Sequence, residues 1–116
     1  MEFELIKNEN YTIVKLDVEK LDSLVSPTLK SELVVLNNDG INNIVLDLSN
    51  TRYCDSSGLS SILVGNRLCK NSGGKLILSG LQDAVKKLIV ISQLDSILHI
   101  SPSIDEAAEK FYILTL

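Results

Sequence analysis

Residues 44–59 read IVLDLSNTRYCDSSGL: a short apolar run, a polar turn and a cluster of helix-capping residues. The nearly continuous apolar run over residues 44–48 has strand length, and such a run favours burial on both faces, as in a parallel sheet. Asp and Ser are preferred where helices begin, so the sequence predicts a second helix over residues 57–71, ended by Ser72-Gly73-Gly74. In open α/β sheets, junctions of this kind are where function concentrates.

Upstream of this junction the sequence predicts a hairpin and a first helix. Residues 3–7 and 11–17 have strand composition, and the short polar connection between them favours antiparallel pairing. Ser26 can cap the helix that follows, and Pro27 suits its first position. Its apolar face consists of residues at helical spacing, Leu29, Leu33 and Leu36.

Downstream of the junction the alternation of strand and helix continues. Residues 75–79 predict a buried strand, residues 81–93 a helix, and residues 97–100 a last strand. Ser103 followed by Glu106 matches a capping box and begins a final helix. The order β-β-α-β-α-β-α-β-α predicts an α/β fold with a mixed central sheet of about five strands, a hairpin plus parallel strands, and about four helices.

Length and composition agree with an α/β domain and argue against several classes of function. A chain of 116 residues is the size of one domain, so we expect a single domain over residues 1–116. Its net charge of −4 argues against a nucleic-acid partner, because such binders usually show a basic stripe. It has neither an apolar run long enough for a bilayer nor a signal-peptide pattern, so we expect no membrane partner and a cytoplasmic location.

Few side chains could support catalysis. The one histidine, His99, lies in an apolar run and is expected to be structural or on the surface. Cys54 and Cys69 lack a CxxC spacing and are expected to be reduced thiols. No zinc-site pattern is present, and the P-loop, dinucleotide and nucleophile-elbow patterns fail. We therefore expect no enzymatic activity, no cofactor and no metal.

Residues 53–59 contain more capping chemistry than a helix start needs. One of Asp55, Ser56 and Ser57 would suffice as a cap. Gly58 then falls in the first helical turn, where glycine costs about 1 kcal/mol relative to alanine. Its missing side chain would allow either another molecule or the adjacent sheet to approach the backbone. Spacing alone leaves both interpretations open.

This region resembles STAS domains, and among them the bacterial anti-sigma factor antagonists. The resemblance rests on Asp55-Ser56-Ser57-Gly58-Leu59 after the apolar strand, and it covers nearly the whole chain. Further matches lie before the first helix, at the next strand and in the last helix: Leu21-Asp22, Ser72-Gly73-Gly74-Lys75-Leu76 and Asp105-Glu106-Ala107-Ala108.

The resemblance implies a binding protein that is switched by phosphorylation. The first serine of the motif, Ser56, is the implied acceptor, and Asp22, Asp55, Ser57 and Gly58 are implied partner contacts. The implied kinase is the anti-sigma factor itself, an ATP-binding protein of the histidine-kinase-like fold. The unmodified antagonist binds it and releases a sigma factor to activate transcription, and a metal-dependent serine phosphatase resets the switch.

Two positions depart from the family pattern, and two other functions stay open. Glu19 and Gln93 stand where the family often has glycine; we expect Glu19 in a loop bordering Ser56 and Gln93 at a helix end. The alternative is a constitutive STAS interaction or ligand-binding module in which Ser56 is only a cap, and the third possibility is an unrelated enzyme. Self-association is also open, through a sheet edge or the apolar residues 113–116.

Overall fold

A five-stranded mixed sheet forms the centre of the protein in a computed structural model, which describes residues 3–112. The apolar stretch 113–116 lies outside the described residues. The strands of the central sheet are β1 (Phe3–Lys7), β2 (Thr12–Leu16), β4 (Asn43–Asp47), β6 (Lys75–Ser79) and β7 (His99–Ser101), arranged β1-β2-β4-β6-β7. The two remaining strands of the described residues, β3 (Lys20–Leu21) and β5 (Tyr53–Cys54), form a separate small sheet. β1 and β2 pair antiparallel and the other neighbours are parallel, which confirms the predicted hairpin and parallel strands.

Four helices in the described residues cover the two faces of the sheet unequally. They are α1 (Ser26–Asn38), α2 (Ser56–Asn71), α3 (Asp83–Ile91) and α4 (Ile104–Tyr112). The larger core contains apolar residues of α1, α2 and α3 together with one face of the strands. The smaller core pairs the other face with α4. This confirms the predicted α/β domain with about four helices.

The β4 strand shows why its sequence is almost continuously apolar. Ile44 and Leu46 belong to the larger core, whereas Val45 belongs to the smaller one. Side chains alternate across a strand, so a strand covered by helices on both faces needs apolar residues at successive positions. β4 is the central strand, and the loop that leads towards α2 leaves from its carboxyl end.

Two features near α1 and α2 differ from the sequence prediction. Ser26 does not cap α1: Val25 occupies the cap position, and the Ser26 hydroxyl instead donates to the Ser57 carbonyl. A separate two-stranded parallel sheet forms between β3 (Lys20–Leu21) and β5 (Tyr53–Cys54). The sequence did not predict this small sheet, because two residues are too few to show an alternating pattern.

Other boundaries shift by small amounts. α2 begins at Ser56, one residue before the predicted start, and α3 is shorter at both ends than predicted. A short 3-10 helix, Leu94–Ser96, lies beyond the predicted range of that helix. At α4 the Ser103 hydroxyl accepts from the Glu106 amide at 3.2 Å, which is half of the predicted capping box. Within residues 3–112, none of the helices has the length and apolar character that a bilayer crossing requires.

Candidate functional site

The small β3–β5 sheet joins two segments that are far apart in sequence. Lys20 pairs with Tyr53, and Leu21 pairs with Cys54. The Asp55 amide then donates to the Leu21 carbonyl at 3.2 Å. Since the two strands are parallel, Asp22 and Asp55 follow them on the same side. The structure thereby brings together the two acidic residues that the sequence singled out.

Asp55 caps α2. Its backbone is extended, and its carboxylate accepts from the Gly58 amide at 2.9 Å, while its carbonyl accepts from the Leu59 amide. Such a cap satisfies one of the backbone amides that a helix start leaves without a partner. Because Asp55 performs this task, neither Ser56 nor Ser57 is needed for it.

Gly58 is buried against β3. A methyl group at this position would lie 2.2 Å from the Leu21 carbonyl oxygen and 2.8 Å from the Cys54 sulfur. Sequence spacing left open whether another molecule or a neighbouring strand approaches this glycine. The geometry shows the second: Gly58 lets α2 begin directly against the small sheet.

Ser56 occupies the first turn of α2 and is exposed. It borders an open hollow of about 300 Å³ between the first turns of α1 and α2. The hollow is lined mainly by hydroxyl groups, with one basic side chain: Ser23, Ser26, Pro27 and Lys30 on one side, and Ser56, Ser57 and Ser60 on the other. A macromolecule can therefore reach the Ser56 hydroxyl.

Asp22 organises the loop before α1. Its carboxylate accepts from the Leu24 amide at 3.1 Å, and its carbonyl accepts from the amides of Val25 and Ser26. These bonds hold Leu24 with 86% of its surface exposed, beside the hollow.

Glu19 lies near this region but does not line the hollow. Its carbonyl accepts from the amides of Arg52 and Tyr53, and its carboxylate lies 3.7 Å from the Arg52 guanidinium. Both side chains of this pair are 60% exposed, so its contribution to stability is small. Glu19 therefore fixes the start of the small sheet through its backbone.

The groups that could serve nucleophilic chemistry are poorly suited to it. Burial, followed by the Asp55 carboxylate, raises the pKa of the Cys54 thiol to about 12. Burial raises the pKa of the Cys69 thiol to about 11. Both thiols therefore stay protonated at neutral pH. They are poor nucleophiles in that form, because only the thiolate reacts readily. Neither forms a disulfide.

His99 lies away from the hollow, on β7. It is exposed, and partial burial together with Lys75 and Lys110 lowers its pKa. Within residues 3–112 there is no group of three or more His, Cys, Asp and Glu residues that could hold a metal ion. The arrangement around Ser56 is suited to presenting a hydroxyl to another protein.

Sequence reasoning missed the contribution of α1 to this site. Ser23, Ser26 and Lys30 share the hollow with Ser56, although they lie about thirty residues earlier in the chain. The helical spacing of Ser26 and Lys30 shows that they share a face of α1, and Ser23 lies in the loop before that helix. Neither observation shows that these residues meet the first turn of α2.

Comparisons with known proteins agree with this geometry. Residues 2–107 match the STAS domain family. An anti-sigma-B factor antagonist from Staphylococcus aureus is 29% identical over 102 residues, which cover 87% of this chain and 93% of that protein. A Thermotoga maritima protein, solved as a candidate anti-sigma factor antagonist, is 27% identical with a TM-score of 0.85, covering 95% of this chain and 94% of its own. The phosphorylated form of the Bacillus cell fate determinant SpoIIAA shares the fold, with a TM-score of 0.71 and 19% identity over 93% of this chain and 97% of its own.

Proposed function

Because this chain belongs to the STAS domain family, we propose that it is an anti-sigma factor antagonist whose partner binding is switched by phosphorylation of Ser56. In its unmodified form it binds an anti-sigma factor kinase and releases a sigma factor, so that transcription is activated. The observation that carries the proposal is the position of Ser56: exposed, at the start of a helix, and relieved of capping by Asp55.

The names of its relatives support the general role. The Staphylococcus aureus relative is an anti-sigma-B factor antagonist and spans almost the same length. SpoIIAA, which shares the fold, was solved in a phosphorylated form. In the same proposal a serine phosphatase resets the switch, and the cytoplasm is where these partners meet the protein.

The surroundings of Ser56 support an effect on the interface rather than on the fold. Phosphoserine adds about −1.5 to −2 charges at neutral pH. The α2 dipole favours this charge by about 0.3–1 kcal/mol, whereas Asp55 opposes it by roughly 1–3 kcal/mol before salt screening. These intramolecular contributions partly cancel. Burying the same charge against a partner that has no matching arginine costs several kcal/mol.

Partner contacts are proposed for the residues around the serine. Asp22, Asp55 and Ser57 lie at the surface or partly exposed beside Ser56, whereas Gly58 is buried. A partner could reach Asp22, Asp55 and Ser57 directly. Any contribution of Gly58 to binding would be indirect, since its lack of a side chain sets the position of the α2 start.

The test is binding of purified protein to its anti-sigma factor kinase, measured by isothermal titration calorimetry. We expect Ser56→Asp to weaken binding at least tenfold, and a loss of about 2.7 kcal/mol would be hundredfold. Ser56→Ala should bind like the wild type but accept no phosphate from ATP, with Ser57→Ala as the matched control that still accepts it.

Two results would contradict the proposal. Phosphate on Ser57 in the Ser56→Ala protein would move the acceptor by one residue. Equal binding by the wild type and Ser56→Asp, with no phosphate on Ser56 in protein isolated from its native cells, would instead favour a constitutive STAS interaction module.

A further inference from the structure

A hydrogen bond joins the two sides of the hollow beside Ser56. The Ser26 hydroxyl on α1 donates to the Ser57 carbonyl on α2, so the first turns of the two helices keep a fixed spacing. Lys30 lies four residues after Ser26 on α1, which places both on the same face of that helix. Both residues line the hollow together with Ser56.

Lys30 is the basic residue that lines this hollow. Its side chain is partly buried, and within the described residues the structure pairs it with no carboxylate. Arg52, which precedes β5, is paired with Glu19 and does not line the hollow. A lysine in this position is available to a negatively charged group attached to Ser56.

The charged groups around Ser56 are of both signs. Asp55 immediately precedes it, and Asp22 follows β3, the strand that pairs with β5 just before Asp55. Like charges raise the pKa of an acid, and opposite charges lower it. The second ionisation of phosphoserine has a pKa of about 6, so two nearby carboxylates alone would keep part of the phosphate singly charged near neutral pH. A cation in the hollow would offset them.

We infer that Lys30 is the built-in counter-charge for a phosphate on Ser56 and holds it over the hollow as a dianion. This inference rests on the proposed phosphorylation of Ser56 and adds how the charge is regulated. Lys30 is a positioning residue: it keeps the doubly charged form populated at neutral pH, and the partner then meets the full charge. The hydroxyls of Ser23 and Ser60, which line the same hollow, provide further donors to the phosphate oxygens.

The test uses full-length protein in which phosphoserine is inserted at position 56 during translation, so that no kinase is needed. ³¹P NMR then measures the phosphate pKa in the wild type and in Lys30→Gln. We expect Lys30→Gln to raise this pKa by on the order of 0.5 unit. Lys30→Arg keeps the charge and should leave the phosphate pKa close to that of the wild type.

Lys70→Gln is the matched control. It removes the same charge from the far end of α2, about 20 Å along the helix, which is roughly two screening lengths in physiological salt. Its phosphate pKa should equal that of the wild type. Equal phosphate pKa values in Lys30→Gln and the wild type would overturn the inference.

A second measurement does not depend on the variant being folded. The chemical shift of the Lys30 ammonium nitrogen, followed by NMR in the wild-type protein, should change when position 56 carries phosphate. An unchanged value would overturn the inference even if Lys30→Gln failed to fold. Because the phosphate is installed without a kinase, this failure is separable from failure of the proposed function, which is judged by kinase transfer and partner binding.

Discussion

At the scale of single residues, α2 begins where it does because position 58 has no side chain. The Gly58 backbone lies against the Leu21 carbonyl, and Asp55 closes the same turn by capping it. The first contact sets the position of the helix, and the second satisfies one of its first backbone amides. Ser56, between them, is left exposed.

Gly58→Ala is expected to destabilise the protein by about 1–3 kcal/mol, despite the roughly 1 kcal/mol that alanine gains in a helix. The added methyl group would lie 2.2 Å from backbone that cannot rotate away. Urea denaturation measures the loss. Gly65→Ala in the same helix is the control: its methyl group would meet only the end of the Leu33 side chain, at 2.8 Å, so we expect a change within about 1 kcal/mol. Equal losses in both variants would contradict the role assigned to the Leu21 carbonyl.

Ser56→Asp is expected to leave the fold intact. The side chain is exposed, and an acidic residue in the first turn of a helix is favourable by about 0.3–1 kcal/mol, which offsets repulsion from Asp55. Thermal unfolding followed by circular dichroism should shift by only a few degrees.

Ser61→Asp is the matched control for this prediction. Ser61 lies in the same helix but is fully buried, and its hydroxyl donates to the Gly58 carbonyl at 2.6 Å. A carboxylate there would be buried without a partner, so this variant should unfold or lose several kcal/mol. If Ser56→Asp were as damaging as Ser61→Asp, the phosphate would act on the fold and not on the interface.

At the scale of elements, short connections decide how the helices and strands meet. The small β3–β5 sheet orders the loops before α1 and α2, and the Ser26–Ser57 hydrogen bond joins the two helix starts. The connection after α3 contains a backbone conformation that is unfavourable for its residue. Gln93 there has φ 61°, a positive value that favours glycine, whereas no residue of the following 3-10 helix has a positive φ.

Gln93→Gly is expected to stabilise the protein by about 0.5–1 kcal/mol, because relief of the left-handed backbone exceeds the entropy that glycine loses on folding. Chemical denaturation at neutral pH measures the change. Gln82→Gly is the contrasting variant, since Gln82 has φ −79° and its side-chain Nε2 donates to the Ser49 carbonyl at 2.7 Å. It should lower stability. A loss in both variants would show that the Gln93 side chain contributes more than its backbone strain costs.

At the scale of the whole molecule, the burial of two cysteine thiols makes the stability of the fold decrease at alkaline pH. The folded pKa values are about 12 for Cys54 and about 11 for Cys69, against an ordinary value of 9.0. Between pH 9 and these values the unfolded chain has released protons that the folded protein still holds. Stability contributed by the neutral thiols is therefore present below pH 9 and is lost as pH rises through that window.

We expect the urea midpoint of the wild type to fall between pH 8 and pH 10, and to fall less in Cys69→Ala when each protein is compared with itself at pH 8. The comparison within one protein removes the cost of the cavity that the alanine creates. A fall of the same size in both proteins would assign the alkaline sensitivity to other groups.

The sequence by itself determined the order of the four helices and of the strands of the five-stranded sheet, and it located the start of α2 to within one residue. Those features depend on local chemistry. The signals are apolar runs of strand length, apolar residues at helical spacing, capping residues such as Asp55 where helices begin, and glycines where they end. Each can be recognised within a dozen residues, because each reflects how a short segment satisfies its own backbone and buries its own apolar face.

Only the tertiary structure decided what surrounds Ser56. The small β3–β5 sheet, the approach of Gly58 to the Leu21 carbonyl and the presence of Lys30 across the hollow all join residues that are distant in the chain. The capping prediction for Ser26 was wrong because α1 begins one residue earlier than the prediction required: Val25 is at the cap position, and Ser26, inside the first turn, donates its hydroxyl to a carbonyl on α2. Contacts of this kind leave no periodic pattern in the sequence, because they depend on how the helices pack on the sheet and not on the preference of either segment.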